Sequence, residues 1–179
     1  KSLAFFQKAL EIDEDNAAIH YKLADIYHRN SEFDDALLHA LRAVELGPDN
    51  KYYYLLLAEI YTSQSDFVNA TLVYEKLMEE IPGTEEYLFQ TAALYIYQDK
   101  LEEALSCYDR IEEIFGINEQ VIYQKQNILI KQGKLDEVIR EGKKLIESFP
   151  GEPDYVVDLA NKMITNERYD EAESLLEQA

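Results

Sequence analysis

At 179 residues, 47% of them apolar, the chain is long enough to bury one sizeable core, and its composition argues against disorder. A formal net charge of −19, from 36 acidic against 17 basic residues, repels nucleic-acid backbones and anionic membranes. The expected partners are therefore proteins or peptides of neutral or basic character, and no direct membrane contact by this segment is expected. Only 6 Gly and 4 Pro punctuate a chain rich in Leu, Ala, Glu and Tyr, so long helices are expected. The charge also suits a solvated outer face.

In chain order, residues 1–16 carry Leu3, Phe6, Ala9 and Leu10 at helical spacing and read as the second helix of an incomplete leading repeat. Residues 17–50 form repeat 1, 51–84 repeat 2, 85–118 repeat 3, 119–152 repeat 4 and 153–179 a truncated repeat 5, all in one solenoid domain. The division rests on self-similarity at a shift of 34 residues. That shift lays Leu23-Ala24-x-x-Tyr27 over Leu57-Ala58-x-x-Tyr61, Thr91-Ala92-x-x-Tyr95 and, more loosely, Leu159-Ala160-x-x-Met163. It also stacks Ala36, Ala70, Ala104, Val138 and Ala172, and Phe33, Phe67, Leu101, Leu135 and Tyr169. Pro48, Pro82, Gly116 and Pro150 close the units, and a proline stops a helix because it lacks an N–H and disfavours a helical residue before it. Each unit reads as helix, short turn, helix. The small column lets two helices approach, and aromatics three residues later fill the space left.

These residues closely resemble the tetratricopeptide-repeat signature, a large residue followed by Leu, a small residue, Tyr, Ala, an aromatic and a closing Pro. His20, Leu23, Ala24, Tyr27, Ala36 and Pro48 stand in those places in repeat 1, and Tyr54, Leu57, Ala58, Tyr61, Ala70, Tyr74 and Pro82 in repeat 2. The resemblance implies an all-α fold, a right-handed α-α superhelix of about five helix-turn-helix units plus a leading half unit. Repeat 4 departs from the pattern, with Lys125-Gln126 in place of Leu-Ala and Gly142 in place of an aromatic. A helical Gly costs about 1 kcal/mol relative to Ala, which marks this repeat as a soft joint. The chain begins in mid-repeat and stops at Leu175-Leu176-Glu177-Gln178-Ala179 without a polar capping helix, as expected of a segment of a longer protein. A signal sequence or anchor would then lie outside it, and loosely matching repeats of this kind point to a bacterial source.

Little in the sequence points to catalysis, and neither a cofactor nor a metal is expected. The candidates are His20, His28, His39 and Cys107. His20 stands in the column of the large packing residue. His28, eight positions on, is too far from it for the i, i+4 pair that holds one metal ion. Cys107 and His39 fall two units apart, and a lone Cys forms no intrachain disulfide. The acidic runs Asp13-Glu14-Asp15 and Glu79-Glu80 lack the alternation and Gly of a calcium loop, and read as solvated turns and helix ends.

In the resembling family, the first helices of successive units line a concave groove that takes a peptide or a partner's helix. Carried onto this sequence, that face holds Tyr21, Asp25 and His28, then Tyr52, Leu55 and Glu59, then Phe89, Ala93 and Ile96. Tyr123, Asn127 and Ile130 follow, with Val157 and Asn161 last. Aromatic anchors among polar groups suit a bound peptide, although each Tyr alternatively packs between neighbouring first helices. Tyr21, Leu55 and Phe89 stand where the family's chaperone-tail clamp has its basic residue, so no such clamp is expected; Asn127 alone matches an asparagine place. The sequence thus reads as a scaffold or adaptor module. The alternatives are a self-associating assembly segment, joined through open solenoid ends, and the docking arm of a larger enzyme or envelope protein.

Overall fold

A computed structural model describes residues 2–178 of the chain; Lys1 and Ala179, the outermost positions of the expected leading and fifth repeats, lie outside the described residues. Those residues form eleven α-helices and no strand: α1 (Ser2–Leu10), α2 (Ala17–Arg29), α3 (Phe33–Leu46), α4 (Lys51–Ser63), α5 (Phe67–Glu80), α6 (Leu88–Tyr97), α7 (Leu101–Phe115), α8 (Glu119–Lys131), α9 (Leu135–Ser148), α10 (Pro153–Thr165) and α11 (Tyr169–Glu177). They fall into two compact units divided between Ala104 and Leu105.

Three of the first helices are entered through a polar residue with a free acceptor, whereas α10 starts on a proline without a side-chain cap. Asn16, Asn50 and Asn118 accept hydrogen bonds from the backbone N–H of Ile19, Tyr52 and Val121, capping α2, α4 and α8. At the equivalent place before α6, the Thr84 hydroxyl donates instead to the carbonyl of Ile81 at 2.7 Å. That start is left uncapped by a side chain, and a 3-10 turn at Glu85–Tyr87 precedes α6.

Within each pair the turn has one recurring geometry. Ser31, Ser65, Asp99, Gly133 and Glu167 all adopt positive φ, between 57° and 70°, and they stand 34 residues apart. The residue after each sends its N–H back to a carbonyl five positions earlier: Glu32 to Tyr27, Asp66 to Tyr61, Lys100 to Tyr95, Lys134 to Leu129 and Arg168 to Met163, each at 2.9 Å. Such a left-handed residue with a long back-bond satisfies carbonyls that a helix end leaves open.

In the first unit the core gathers Ala24, Ala36, Ala40, Ala43, Tyr54, Leu57, Ile60 and Leu77, with Tyr21, Tyr27, Leu55, Tyr61 and Tyr74 packed around it. Ala24 and Ala36, at the meeting of α2 and α3, are wholly buried, as are Ala58 and Ala70 on α4 and α5. In the second unit Ile139, Leu159, Ala160, Met163 and Ala172 form a core flanked by Leu135, Ile146 and Leu175.

Gly142 has a different role from the soft joint its helical position implies. A Cβ built there meets Leu159 Cδ1 at 2.6 Å and the Gln126 side-chain nitrogen at 2.9 Å, so the glycine marks a close approach of α9 to α8 and α10. Leu159 and Gln126 are themselves almost fully buried and have little room to yield.

Two outcomes follow for stability. Ser65→Gly and Glu167→Gly each relieve a strained left-handed residue and should raise the unfolding free energy by roughly 0.5–1 kcal/mol after the added entropy of the unfolded chain, read as a higher urea midpoint. Gly142→Ala should lower it by about 1 kcal/mol in the same assay, because overpacking outweighs the gain in helix propensity.

Candidate functional site

In the first unit the candidate face lies on α2, α4 and α6. Tyr21 is half-buried, its ring centroid 5.3 Å from that of Tyr53. It is therefore Tyr53, not Tyr52, that meets it. Burial pushes the Tyr21 phenol above its ordinary pKa, and the carboxylates of Asp25 and Glu59 add to the effect while Arg29 opposes it. Tyr21, Asp25 and Glu59 thus share one electrostatic neighbourhood, in which Asp25 also pairs with Arg29 at 2.8 Å. His28 bonds through its Nε2 with the Ser63 hydroxyl at 3.0 Å, joining α2 to the end of α4. Leu55 packs against the core. Tyr52 is 60% exposed, with only the Lys51 ammonium 5.9 Å from its ring centroid as an aromatic contact. Glu59 and Ala93 are exposed; Phe89 and Ile96 are half-buried.

In the second unit Tyr123 on α8 lies under the Lys162 ammonium of α10, 4.7 Å from the ring centroid. Its phenol is pushed up to about 12, first by burial and then by Asp158 and Glu119. Lys162 is itself paired with Asp158. Asn127, Ile130, Val157 and Asn161 are exposed and surround no comparable contact among those described. Tyr21 and Tyr123 accordingly share their rings with neighbouring first helices, whereas Tyr52 presents its ring to solvent.

Two buried polar clusters had no counterpart in the sequence reading. The first joins α2 to α3. The His20 Nε2 lies 3.0 Å from the Glu14 carbonyl, and the His20 Nδ1 lies 2.9 Å from the His39 Nδ1. A carbonyl only accepts, so the His20 Nε2–H donates to Glu14, and of the two facing Nδ1 atoms one donates to the other. Tyr27 stacks on the His39 ring with centroids 5.6 Å apart. The cavity beside the pair is lined by Glu11, Glu14, Asp15 and Arg42 as well as both imidazoles. Burial, and then the neighbouring His20, lower the His39 pKa, with Asp35 opposing.

The second cluster explains the departure at Lys125. Only 3% exposed, its ammonium sits 2.7 Å from Asp109, 3.2 Å from Glu112 and 2.8 Å from Glu141, while Lys144 reaches Glu112 at 2.9 Å and Glu141 at 2.8 Å. Burial alone would lower the Lys125 pKa, but hydrogen bonds to Asp109 and Glu141 outweigh it and hold the ammonium charged. Beside it, the Gln126 amide donates to the Val138 carbonyl at 3.0 Å. The signal was present in sequence as buried-column residues of the wrong polarity, Lys125 and Glu141, in one repeat. Among the described residues, no group of three or more His, Cys, Asp or Glu is placed to hold a metal ion. No helix among them is long and apolar enough to cross a membrane.

Short helix pairs, a small-residue crossing and a turn that recurs every 34 residues define an all-α repeat protein of the solenoid class. The tetratricopeptide-repeat family model matches residues 1–60. The fold is shared with YrrB, described as a TPR protein with an unusual peptide-binding site (20% identity, TM-score 0.60, 96% of this chain and 89% of that one). It is shared as well with a tetratricopeptide repeat protein from Parabacteroides merdae (21%, 0.63, 98% and 70%) and with MamA from Desulfovibrio magneticus RS-1 (13%, 0.60, 90% and 92%). No curated protein sequence matches this one. The chain thus resembles the tetratricopeptide repeats by sequence over residues 1–60 and shares their fold over nearly its whole length.

The lowered pKa of His39 sets a pH dependence. As pH falls below about 6.5, the unfolded chain takes up the proton before the folded one does, so stability present above that pH is lost on acidification towards the lower folded value. Urea midpoints measured between pH 7.5 and 5 should fall for the wild type, and His39→Val should flatten this limb.

Proposed function

We propose that the chain is a scaffold or adaptor module, whose first-helix faces receive a peptide or a helix of a partner protein. Tetratricopeptide-repeat chains are in general protein-interaction scaffolds and not enzymes. The repeat division into a leading half unit and five units is part of this reading, with each unit supplying its first helix.

The observation that carries it is the exposed ring of Tyr52 on the helix that also presents Glu59, close to Tyr21 and Asp25. A large, stiff aromatic two turns along the helix from an exposed carboxylate offers an apolar anchor and an electrostatic contact for a basic side chain. In the second unit the first helices α8 and α10 offer a smaller, uncharged exposed set in Asn127, Val157 and Asn161. Anchoring thus falls chiefly to Tyr52, while Tyr21 and Tyr123 hold their helices in place.

A displayed peptide library selected on the wild-type chain should yield ligands bearing a basic residue near an apolar one. Their affinity should fall about tenfold on Tyr52→Ala and several-fold on Glu59→Gln, with helicity unchanged. Ligands indifferent to both substitutions would remove the first-helix face from the function.

A further inference from the structure

The second helices of the first unit carry an apolar feature that neither the repeat pattern nor the first-helix face accounts for. Leu38 and Leu41 on α3 are 64% and 49% exposed, and Val68 and Leu72 on α5 are 52% and 55% exposed. Leu41 and Leu72 both line a slot of about 280 Å³, together with Tyr54, Leu57 and Tyr61 of α4 and with Glu45 and Lys76 as its charged members. This is below the roughly 300–1,000 Å³ of small-molecule pockets, which favours a partner's side chains over a free ligand.

These leucines and the valine break the repeat's own solvent columns. The column of Leu41 continues as Glu75, Asp109 and Lys143; that of Val68 holds Asp34, Glu102 and Asp136; and that of Leu38 and Leu72 passes to Ser106 and Arg140. In these columns the large apolar residues are confined to α3 and α5, and two of the four, Leu41 and Leu72, line one slot.

Charge selects the occupant. The same helix faces present Asp34 one turn before Leu38, Glu45 one turn after Leu41, and Glu79 two turns after Leu72, all exposed, against Lys76. Arg42 is held by Asp15 and Glu45, which offsets Glu45 as well, so Asp34 and Glu79 carry the acidic excess over Lys76. A second copy of a chain with net charge −19 would bring acid against acid. We infer that the slot between α3 and α5 is a second docking site, which takes an amphipathic helix of a partner protein with an aliphatic stripe flanked by Lys or Arg.

The test uses a fluorescent amphipathic peptide of Leu and Lys with its leucines on one stripe, a Leu and Glu counterpart, and the full chain. Expected are saturable binding of the Leu and Lys probe alone, a loss of about tenfold on the exposed double substitution Leu41→Ser, Leu72→Ser, and a change below about twofold on Tyr52→Ala. Equal binding by the serine variant, or equal binding of the Glu probe, overturns the inference. Loss only on Tyr52→Ala overturns it too and returns the binding to the first-helix face. Dimerisation of the wild-type chain in sedimentation that the serine variant abolishes would assign the slot to a second copy instead. Because the two substituted leucines lie outside the first-helix face, peptides selected on that face should bind the serine variant unchanged whichever result is obtained.

Discussion

Two helices can lie only as close together as the side chains at their crossing allow, and in this chain that spacing is set by methyl groups. Ala24 faces the same interior as Ala36, and Ala58 the same interior as Ala70, with nothing of these residues left to solvent. Close approach then makes the turn geometry obligatory: three residues must reverse the chain at each of these crossings, and a left-handed residue with a back-bond to a carbonyl five positions earlier does so. Aromatic residues fill what the alanines leave open, and the surfaces available to partners are the remainder of that packing.

The helix pairs and the all-α class were legible because they are written in columns, and a column survives the loss of any one member. Ala104 and Val138 serve the same buried position despite their different sizes. The turn residue was less visible. Ser31, Ser65, Asp99 and Glu167 carry no glycine signature, and only Gly133 hints that the position is left-handed. Its geometry is enforced by the closed crossing on either side, so the side chain there need not advertise it.

The polar clusters were harder to read for the opposite reason, since their central residues stand alone in their columns. His20 has Tyr54 and Leu88 as its counterparts, and His39 has Val73 and Cys107; only the fold shows that the two imidazoles meet across α2 and α3. Gly142 misled because propensity is a property of one helix, whereas its place is decided by Leu159 on another. On the candidate face the sequence ranked the tyrosines alike. Adjacent positions on a helix point about 100° apart, so Tyr53 turns inward to Tyr21 and Tyr52 turns out.

The ion cluster around Lys125 also makes one helix pair non-interchangeable. A solenoid of identical modules tolerates exchange and register slips, because every interface accepts every neighbour. Asp109, Glu112 and Glu141 accept only a helix that brings a cation to one place. A copy of α4 set there, with Leu57 in the position of Lys125 after two shifts of the repeat, would leave Lys144 to offset both Glu112 and Glu141 and take the cation away from Asp109. The cluster therefore works as an address within an otherwise repetitive chain, fixing which helix follows α7 during folding and discouraging exchange of modules between neighbouring molecules.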